Sequence, residues 1–566
     1  MADFLKKFFL WSPGALFWFA GALLLCFAPE LAQLGARGNS EAKIFYLDKL
    51  LFLGRTGIAW GWVWYWGVVR FRKGVSLQQI LVETALLTGA VLCIDTFLFR
   101  KYWNDTLALA VWLKEFSWSS LLLPGGSNPY CQSAPPGFIV TSKLLGGVSG
   151  YNRFVLGIPV LLFALGALWK FRELTAKLLA PAGAVSALWL FALNPGLWFY
   201  AGEFKQYTAD IFFTTAVLAS AVDFVRSPEK KWYSLAAVGV TGLFFSHALF
   251  FVLPAVGTGL LVRFRDVTFR KKTIPVGVIW FAATAAAAFY ARAMMPLGMY
   301  VHEHHIMGFA PLPVSMENIK WYWNSLIDIF TAPWSLNWKI PVFCIFPAVL
   351  MVMGAVKFFK TQKNLFISGV VVMSLLLLAS VLHCYSFAAG LPFAKGRLIL
   401  FTIPFALLFW GKGIESKRTL WLALPALAGC LLNCLTAFMP IGNFRPAVEE
   451  LVKRTPAGTP VYVNSFTAGC AVQLYAPENH FGKILLFDPA DPVKALPEKG
   501  PCHLLTVDLP PQKLKFSSGV KVTCRKEFTF SEILTVEKFS SATRVLPAGG
   551  TCNGSPENGA NRQKKK

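Results

Sequence analysis

Long apolar runs are the feature of this sequence that most constrains its fold. About thirteen runs, each roughly long enough to cross a bilayer, precede residue 440. They cover approximately residues 10–30, 51–69, 78–99, 153–170, 178–199, 208–225, 233–248, 249–263, 274–292, 339–357, 365–384, 397–411 and 419–438. Only 15% of the residues are charged, whereas soluble domains carry roughly 25%. The pattern predicts a polytopic α-helical membrane protein.

The basic residues indicate the orientation of these spans. A net charge of +25 would indicate nucleic acid as the partner of a soluble protein. Here the Lys and Arg residues lie at the ends of apolar runs, where anionic lipid and the positive-inside bias account for them. Alternating the spans from a cytoplasmic N-terminus puts seven basic clusters on the cytoplasmic side. They begin at Lys6, Arg70, Lys170, Arg226, Arg263, Lys357 and Lys412. We expect no nucleic-acid partner.

The same alternation places the longer polar segments on the extracytoplasmic side, including residues 100–152 and everything after about 440. The pattern after Phe438 changes to an amphipathic helix at 444–454, a helix or strand at 468–476, and short alternating strands. The strands are predicted at 460–465, 483–487, 502–507, 520–524 and 532–539. We expect a small α/β domain over 441–545 and a disordered basic tail over 546–566.

The 11 cysteines contain no CxxC pair, which argues against a structural zinc site. Five of them lie in polar segments that would face an oxidising compartment, and a disulfide among these five is left open. They are Cys131, Cys470, Cys502, Cys524 and Cys552.

Ionisable residues gather at the predicted extracytoplasmic ends of the spans, where each is costly and therefore a functional candidate. They are Asp105, Glu203, Lys205, Tyr207, Asp210, His247, His302, Glu303, His304, His305, His383, Tyr385, Lys395 and Arg397. A carboxylate beside an apolar surface has a raised pKa and can act as a general base. Nearby Arg and Lys residues can hold a phosphate leaving group.

Each of these residues also has a plainer interpretation. Asp105 could be a solvated acid or a helix cap, and Glu203 and Lys205 could pair with each other. Asp95 and Glu83, within the third run, could be polar contacts between helices. The HEHH stretch at 302–305 has the composition of a metal site, but adjacent residues on one loop seldom converge on one ion. No metal site and no cofactor are predicted, and a divalent metal is left open.

The order of these features resembles the polyprenyl-phosphate-dependent GT-C glycosyltransferases, the superfamily of protein O-mannosyltransferases and the aminoarabinose transferase (glycosyltransferase family 39-like). The shared features are an acid opening the first outer loop, a Pro-Pro stretch followed by a helix, Gly and Arg, an NP…YA.E.K.Y..D pattern, a Ser-His, and a late Gly-Arg. Here these are Asp105, Pro135-Pro136, Arg153, the residues from Asn194 to Asp210, Ser246-His247 and Gly396-Arg397. The family usually has Asp-Glu in the first loop, whereas Thr106 follows Asp105 here.

The resemblance implies a catalytic membrane module over 78–440, with the outer loop at 100–152, preceded by an extra transmembrane hairpin at 1–77. It implies an inverting glycosyltransferase that moves a sugar from a polyprenyl-phosphate donor to a protein, lipid or glycan at the outer face of the bacterial inner membrane. Asp105, Glu203 and Asp210 would be catalytic, and Lys205, Arg153 and Arg397 would bind the donor phosphate. Further candidates are Tyr207, His247, His302 and His305.

Three other functions are left open by the sequence. A transporter or flippase of a lipid-linked sugar would show internal repeats, and none is visible. A non-catalytic scaffold for envelope polysaccharide would tolerate loss of both Asp105 and Glu203. A ligase or polymerase like those of O-antigen would differ only in using a donor that carries a chain of sugars.

Overall fold

A computed structural model gives the fold of the chain in two compact units. The structure describes residues 2–36, 40–99, 102, 104–123, 134–294, 309–331, 341–385, 397–414, 419, 421–436, 444–486, 502–507, 520–528 and 531–538. The first unit comprises Met1–Arg100 and Trp112–Pro440, and the second comprises Lys101–Val111 and Ile441–Lys566.

The first unit is helical. Its helices, together with one helix (α5) that begins in the second unit, are α1 Ala2–Cys26, α2 Ala28–Ala36, α3 Ser40–Arg72, α4 Leu77–Phe99, α5 Asn104–Glu115, α6 Trp118–Leu122, α7 Pro136–Ser149, α8 Arg153–Leu178, α9 Pro181–Leu193, α10 Pro195–Ala201, α11 Tyr207–Arg226, α12 Pro228–Phe245, α13 Leu249–Leu260, α14 Val267–Met294, α15 Met316–Thr331, α16 Pro341–Thr361, α17 Lys363–Val381, α18 Ile403–Gly413 and α19 Leu424–Thr436. Short 3-10 segments lie at Leu261–Arg263, Arg397–Thr402 and Trp421–Ala423.

Proline begins many of these helices. Helices α7, α9, α10 and α12 each have Pro at the first helical position. Proline is suited to that position because its fixed φ is helical and its missing N–H would have no partner there. The predicted Pro-Pro stretch therefore starts α7, with Pro135 as the cap and Pro136 as the first helical residue.

Within the described residues, five helices are long and apolar enough to cross a membrane, namely α4, α8, α11, α14 and α17. The number rises to seven if two bent pairs, α1–α2 with a 71° bend and α9–α10 with a 43° bend, each form one span. The expected thirteen spans remain a prediction. Several of the predicted runs correspond to helices of 11–13 residues, α13, α18 and α19. Such helices are about 17–20 Å long, shorter than the roughly 30 Å bilayer core.

Ion pairs join α3 to α4. The Arg55 guanidinium donates to both carboxylate oxygens of Asp95, at 2.6 and 3.2 Å, and lies 3.7 Å from the Phe99 ring centroid. Arg70 donates to both oxygens of Glu83, at 2.7 and 2.9 Å. The interpretation of Asp95 and Glu83 as contacts between helices is therefore confirmed.

Helix α11 lies at the centre of the first unit, since 78% of its apolar window is buried, against 11% for α14. Close helix crossings depend on residues without side chains. A Cβ at Gly183 of α9 would meet the backbone carbonyls of Gly411 and Ile414, so α9 and the end of α18 approach at backbone distance. Small residues at such crossings let neighbouring backbones pack directly.

The second unit contains a five-stranded sheet with the order β2-β1-β3-β5-β4. The strands are β1 Val461–Val463, β2 Ile484–Leu486, β3 Cys502–Val507, β4 Val520–Phe528 and β5 Ser531–Lys538. Helices α20 Arg445–Arg454 and α21 Phe466–Tyr475 flank β1. Strands β1, β2 and β3 are parallel, with Val461 opposite Ile484 and His503, and β5 is antiparallel to β3 and β4.

These elements lie where hydrophobic alternation predicted them, and the segment at 468–476 that could have been a helix or a strand belongs to helix α21. Cys470 and Cys502 are buried free thiols, so neither forms a disulfide in this structure.

Candidate functional site

Asp210, in the first turn of α11, accepts two hydrogen bonds from the break between α12 and α13. The Ser246 hydroxyl donates to Asp210 Oδ1 at 2.6 Å, and the Ala248 backbone N–H also donates to this carboxylate. Ser246 is the C-cap of α12, and Ala248 is the N-cap of α13. The carboxylate thus satisfies a donor that the helix break would otherwise leave buried without a partner. Asp210 and the predicted Ser-His pair belong to one site.

The turn between α10 and α11 carries two more predicted charges. Glu203 and Lys205 are 6% and 8% exposed, so both charged side chains lie inside the protein. The turn is tight, because the Lys205 N–H bonds to the Glu203 carbonyl at 2.7 Å. Between them, the Phe204 ring packs on Phe138 of α7 with the ring centroids 5.5 Å apart. A buried acid and base two residues apart form a polar site inside an apolar bundle.

Tyr207, which follows this turn, is buried as the first residue of α11. Its ring meets that of Tyr200 edge to face, with the centroids 4.9 Å apart. The two tyrosines come from successive helices, α10 and α11, so their contact joins the helices on either side of the turn. The contact therefore joins the two ends of the turn that carries Glu203 and Lys205.

The Asn-Pro pair positions α10 against a later part of the chain. The Asn194 Oδ1 accepts the Gly196 N–H at 2.7 Å and caps α10. A Cβ at Gly196 would lie 2.6 Å from Leu400 Cδ2. The absence of a side chain at Gly196 thus admits Leu400, which belongs to the 3-10 segment that begins at Arg397. The NP motif and the 3-10 segment that begins at Arg397 are neighbours in the structure.

Tyr385 completes the connection to the same segment. Its hydroxyl donates to the Leu398 carbonyl at 2.7 Å, and its ring packs on Phe251 of α13. Burial, together with the nearby carboxylate of Asp210, raises the pKa of Tyr385, so the hydroxyl keeps its proton and its role as donor. The regions of Asp210, Ser246 and Arg397 therefore converge on one site.

His247 and Arg153 have structural partners. The half-buried His247 ring stacks on Phe250, with the centroids 5.7 Å apart. The Arg153 guanidinium donates to the Leu98 carbonyl at 3.0 Å, in the last turn of α4, and lies 4.0 Å from the Phe154 ring centroid. A cation is favourable at that position because carbonyls at a helix C-terminus lack intrahelical donors.

Three groups of predicted residues fall partly or wholly outside the described residues. Asp105 is the second residue of α5 and Arg397 the first of its 3-10 segment, and only their backbones are described. His302, His305 and the rest of the HEHH stretch lie outside the described residues, as does Lys395. Among the side chains that are described, no three His, Cys, Asp or Glu residues are grouped as metal ligands.

The contributions of Gly196 and of the Leu398 carbonyl to the site were not predicted from the sequence. The role of Gly196 could have been recognised from the local sequence, because another backbone or side chain can approach a small residue directly after a helix-initiating Asn-Pro pair. The Leu398 carbonyl had none, because a backbone acceptor is not visible in the residue types.

Three solved structures are similar to this chain. The oligosaccharyltransferase of Archaeoglobus fulgidus in the apo form has a TM-score of 0.46 at 12% identity, with 72% of this chain and 64% of that chain covered. ArnT from Cupriavidus metallidurans has a TM-score of 0.48 in the apo state, at 10% identity, and 0.48 bound to undecaprenyl phosphate, at 11% identity. For both ArnT structures, 81% of this chain and 97% of the other are covered.

This chain thus spans about two thirds of the archaeal enzyme and nearly all of ArnT. No protein-family model matches the sequence, and no curated protein matches it.

Proposed function

We propose that this protein is a membrane glycosyltransferase that moves a sugar from a polyprenyl-phosphate donor to an acceptor at the outer face of a bacterial inner membrane. The observation that carries the proposal is the convergence of distant parts of the chain, 194–210, 246–248, Tyr385 and 397–400, on one buried polar site. The site holds Glu203, Lys205 and Asp210 within an apolar helical bundle. Buried charges in such a bundle are costly, which favours a functional reason for them.

The proposed reaction is a direct displacement at the anomeric carbon. The acceptor oxygen forms the new glycosidic bond while the bond from the anomeric carbon to the phosphate oxygen breaks with its electron pair. Asp105 takes the proton of the acceptor hydroxyl, and the leaving group is the polyprenyl phosphate. Such a displacement inverts the configuration of the sugar, because attack and departure take place on opposite faces of the ring.

The remaining residues have separate roles in this proposal. Lys205, Arg153 and Arg397 neutralise the phosphate as its charge increases, which is the task for which Lys and Arg donors are suited. Glu203 orients the acceptor or the sugar. The carboxylate of Asp210 is committed to Ser246 and Ala248, so Asp210 acts as a positioning residue that holds α11 against the α12–α13 break.

A transporter of a lipid-linked sugar is the second candidate, because broken helices are typical of transporters. Two breaks occur near the site, the 43° bend between α9 and α10 and the interruption at Ser246 between α12 and α13. Transport needs two compartments, whereas transfer does not. The two functions therefore differ in detergent, where only an enzyme yields a product.

The test uses purified protein in detergent with a polyprenyl-phosphate sugar and an acceptor extract. Asp105→Asn should abolish transfer while the protein remains folded and at the normal level in membranes. Arg397→Ala should raise the KM for the donor more than the KM for the acceptor. Near-normal turnover by Asp105→Asn would refute the base assignment, and an effect of Arg397→Ala on the acceptor alone would refute the phosphate assignment.

A further inference from the structure

The C-terminal end of α5, the helix whose second residue is Asp105, is held by a lysine and a tyrosine. The Lys143 ammonium donates to the carbonyls of Leu113, Lys114 and Phe116, the last at 2.9 Å. The Tyr151 hydroxyl donates to the same Leu113 carbonyl at 2.8 Å. The last four carbonyls of a helix have no donor within the helix. Here two side chains from elsewhere in the chain supply donors.

The charge of Lys143 suits this position. The partial negative charge at the C-terminus of a helix favours a cation within the last turn. Burial lowers the pKa of Lys143, so the ammonium has lost part of its hydration and depends on these carbonyls in its place. A neutral or shorter side chain at this position would leave carbonyls without donors.

The local backbone brings the two donors to the same side of α7. The helix ends at Gly150 in a left-handed conformation with φ 61°, and its N–H bonds to the Gly146 carbonyl. Tyr151 then has φ 58°, and its ring packs against Gly146. A Cβ added at Gly146 would lie only 2.6 Å from Cε1 of this ring. The Lys143 nitrogen is 5.8 Å from the centre of this ring. Gly146 therefore provides the space that places Tyr151 beside Lys143.

Helix α7 is itself fixed on the part of the site that carries Glu203. Phe138 is fully buried and packs on Phe204, the residue after Glu203. A Cβ at Gly137 would lie 2.6 Å from the Phe244 carbonyl near the end of α12, so the two backbones are in direct contact. One helix thus contacts the turn of the candidate site and, through Lys143 and Tyr151, the end of α5.

We propose that Lys143 and Tyr151 are positioning residues that fix the C-terminal end of helix α5, the helix whose second residue is Asp105, a role that rests on the function proposed above. Helix α5 has 12 residues and is about 18 Å long. Each of its residues from Leu107 to Leu113 is at most 1% exposed. A displacement of about 1 Å at a catalytic group can cost on the order of 100-fold in rate.

The test compares Lys143→Met, Lys143→Arg and Tyr151→Phe with the wild-type protein. Lys143→Met should raise amide hydrogen exchange in peptides from 104–116 and lower kcat by about 10- to 100-fold, with less than about a threefold change in the KM for the donor. Lys143→Arg should retain most of the wild-type rate and protection, since a guanidinium also offers several donors. Tyr151→Phe should have a smaller effect of the same kind, because one of the two donors to Leu113 remains.

The matched control is Lys170→Met, which removes a lysine whose ammonium bonds to Glu173 on the same helix. It should change neither quantity. Unchanged exchange in Lys143→Met would overturn the proposal, and so would increased exchange with an unchanged kcat. If Lys143→Met does not fold, Tyr151→Phe gives the same comparison. If the wild-type protein shows no transfer, the proposed function fails, while the exchange experiment still reports whether Lys143 restrains α5.

Discussion

The hydrogen bond between Ser246 and Asp210 provides a quantitative test of the site. Ser246 is completely buried and its hydroxyl lies 2.6 Å from the carboxylate. A hydrogen bond to a charged group contributes about 1.5–3 kcal/mol, and one between neutral groups about 0.5–1.5 kcal/mol. Ser246→Ala removes one oxygen and leaves little cavity, so nearly all of its effect should come from the lost bond. At pH 9, where the Asp210 carboxyl is ionised, we expect it to lower the free energy of unfolding by about 1.5–3 kcal/mol.

A double-mutant cycle separates this bond from general effects of substitution. In the Asp210→Asn background the bond joins neutral groups, so Ser246→Ala should cost about 1 kcal/mol less than in the wild-type background. The assay is equilibrium unfolding in mixed micelles, followed by tryptophan fluorescence. Thr215→Val is the control, because the Thr215 hydroxyl is buried on the same helix but bonds to the Ile211 carbonyl. It should add to Asp210→Asn without coupling. A coupling energy near zero for Ser246 and Asp210 would refute the assignment of this bond as the link between α11 and the α12–α13 break.

Three further substitutions test the packing around the site. Gly196→Ala should destabilise the protein by about 1–3 kcal/mol in the same unfolding assay, because the new methyl group would overlap Leu400; an unchanged stability would contradict the close approach. Tyr385→Phe should cost about 1–2 kcal/mol by leaving the Leu398 carbonyl without its donor, and equal stability would mean that this bond contributes nothing. Arg55→Met should destabilise the protein by about 1–3 kcal/mol. This is less than for a fully buried ion pair, because Arg55 is partly exposed. Replacing its partner Asp95 with Leu as well should recover part of the lost stability.

Local patterns predicted much of the secondary structure. The alternation after Phe438 predicted the five strands that the structure describes, and the Pro-Pro stretch predicted the helix that begins at Pro136. The break between α12 and α13 falls at the boundary between the predicted runs 233–248 and 249–263. Hydropathy did not show that the carboxylate of Asp210 accepts hydrogen bonds at this break.

The candidate site shows the same division between local and distant information. The order of motifs indicated that Asp210, Ser246 and Arg397 would act together, and the structure brings their segments to one place. The role of Lys143 could not be predicted, since its partners are backbone carbonyls 27–30 residues away. The commitment of Asp210 to structural hydrogen bonds was also not visible in the sequence, because an acid at a helix start is compatible with both catalysis and capping.

The most direct test of the central claim is the conversion of a polyprenyl-phosphate sugar to polyprenyl phosphate in a detergent extract of membranes that lack this protein. Mass spectrometry would follow the donor lipid and the mass of the modified acceptor after purified protein is added. We expect conversion with the wild-type protein, a matching increase in acceptor mass, and neither with Asp105→Asn. A donor that stays unchanged in the presence of folded wild-type protein, or equal conversion by Asp105→Asn, would contradict the account.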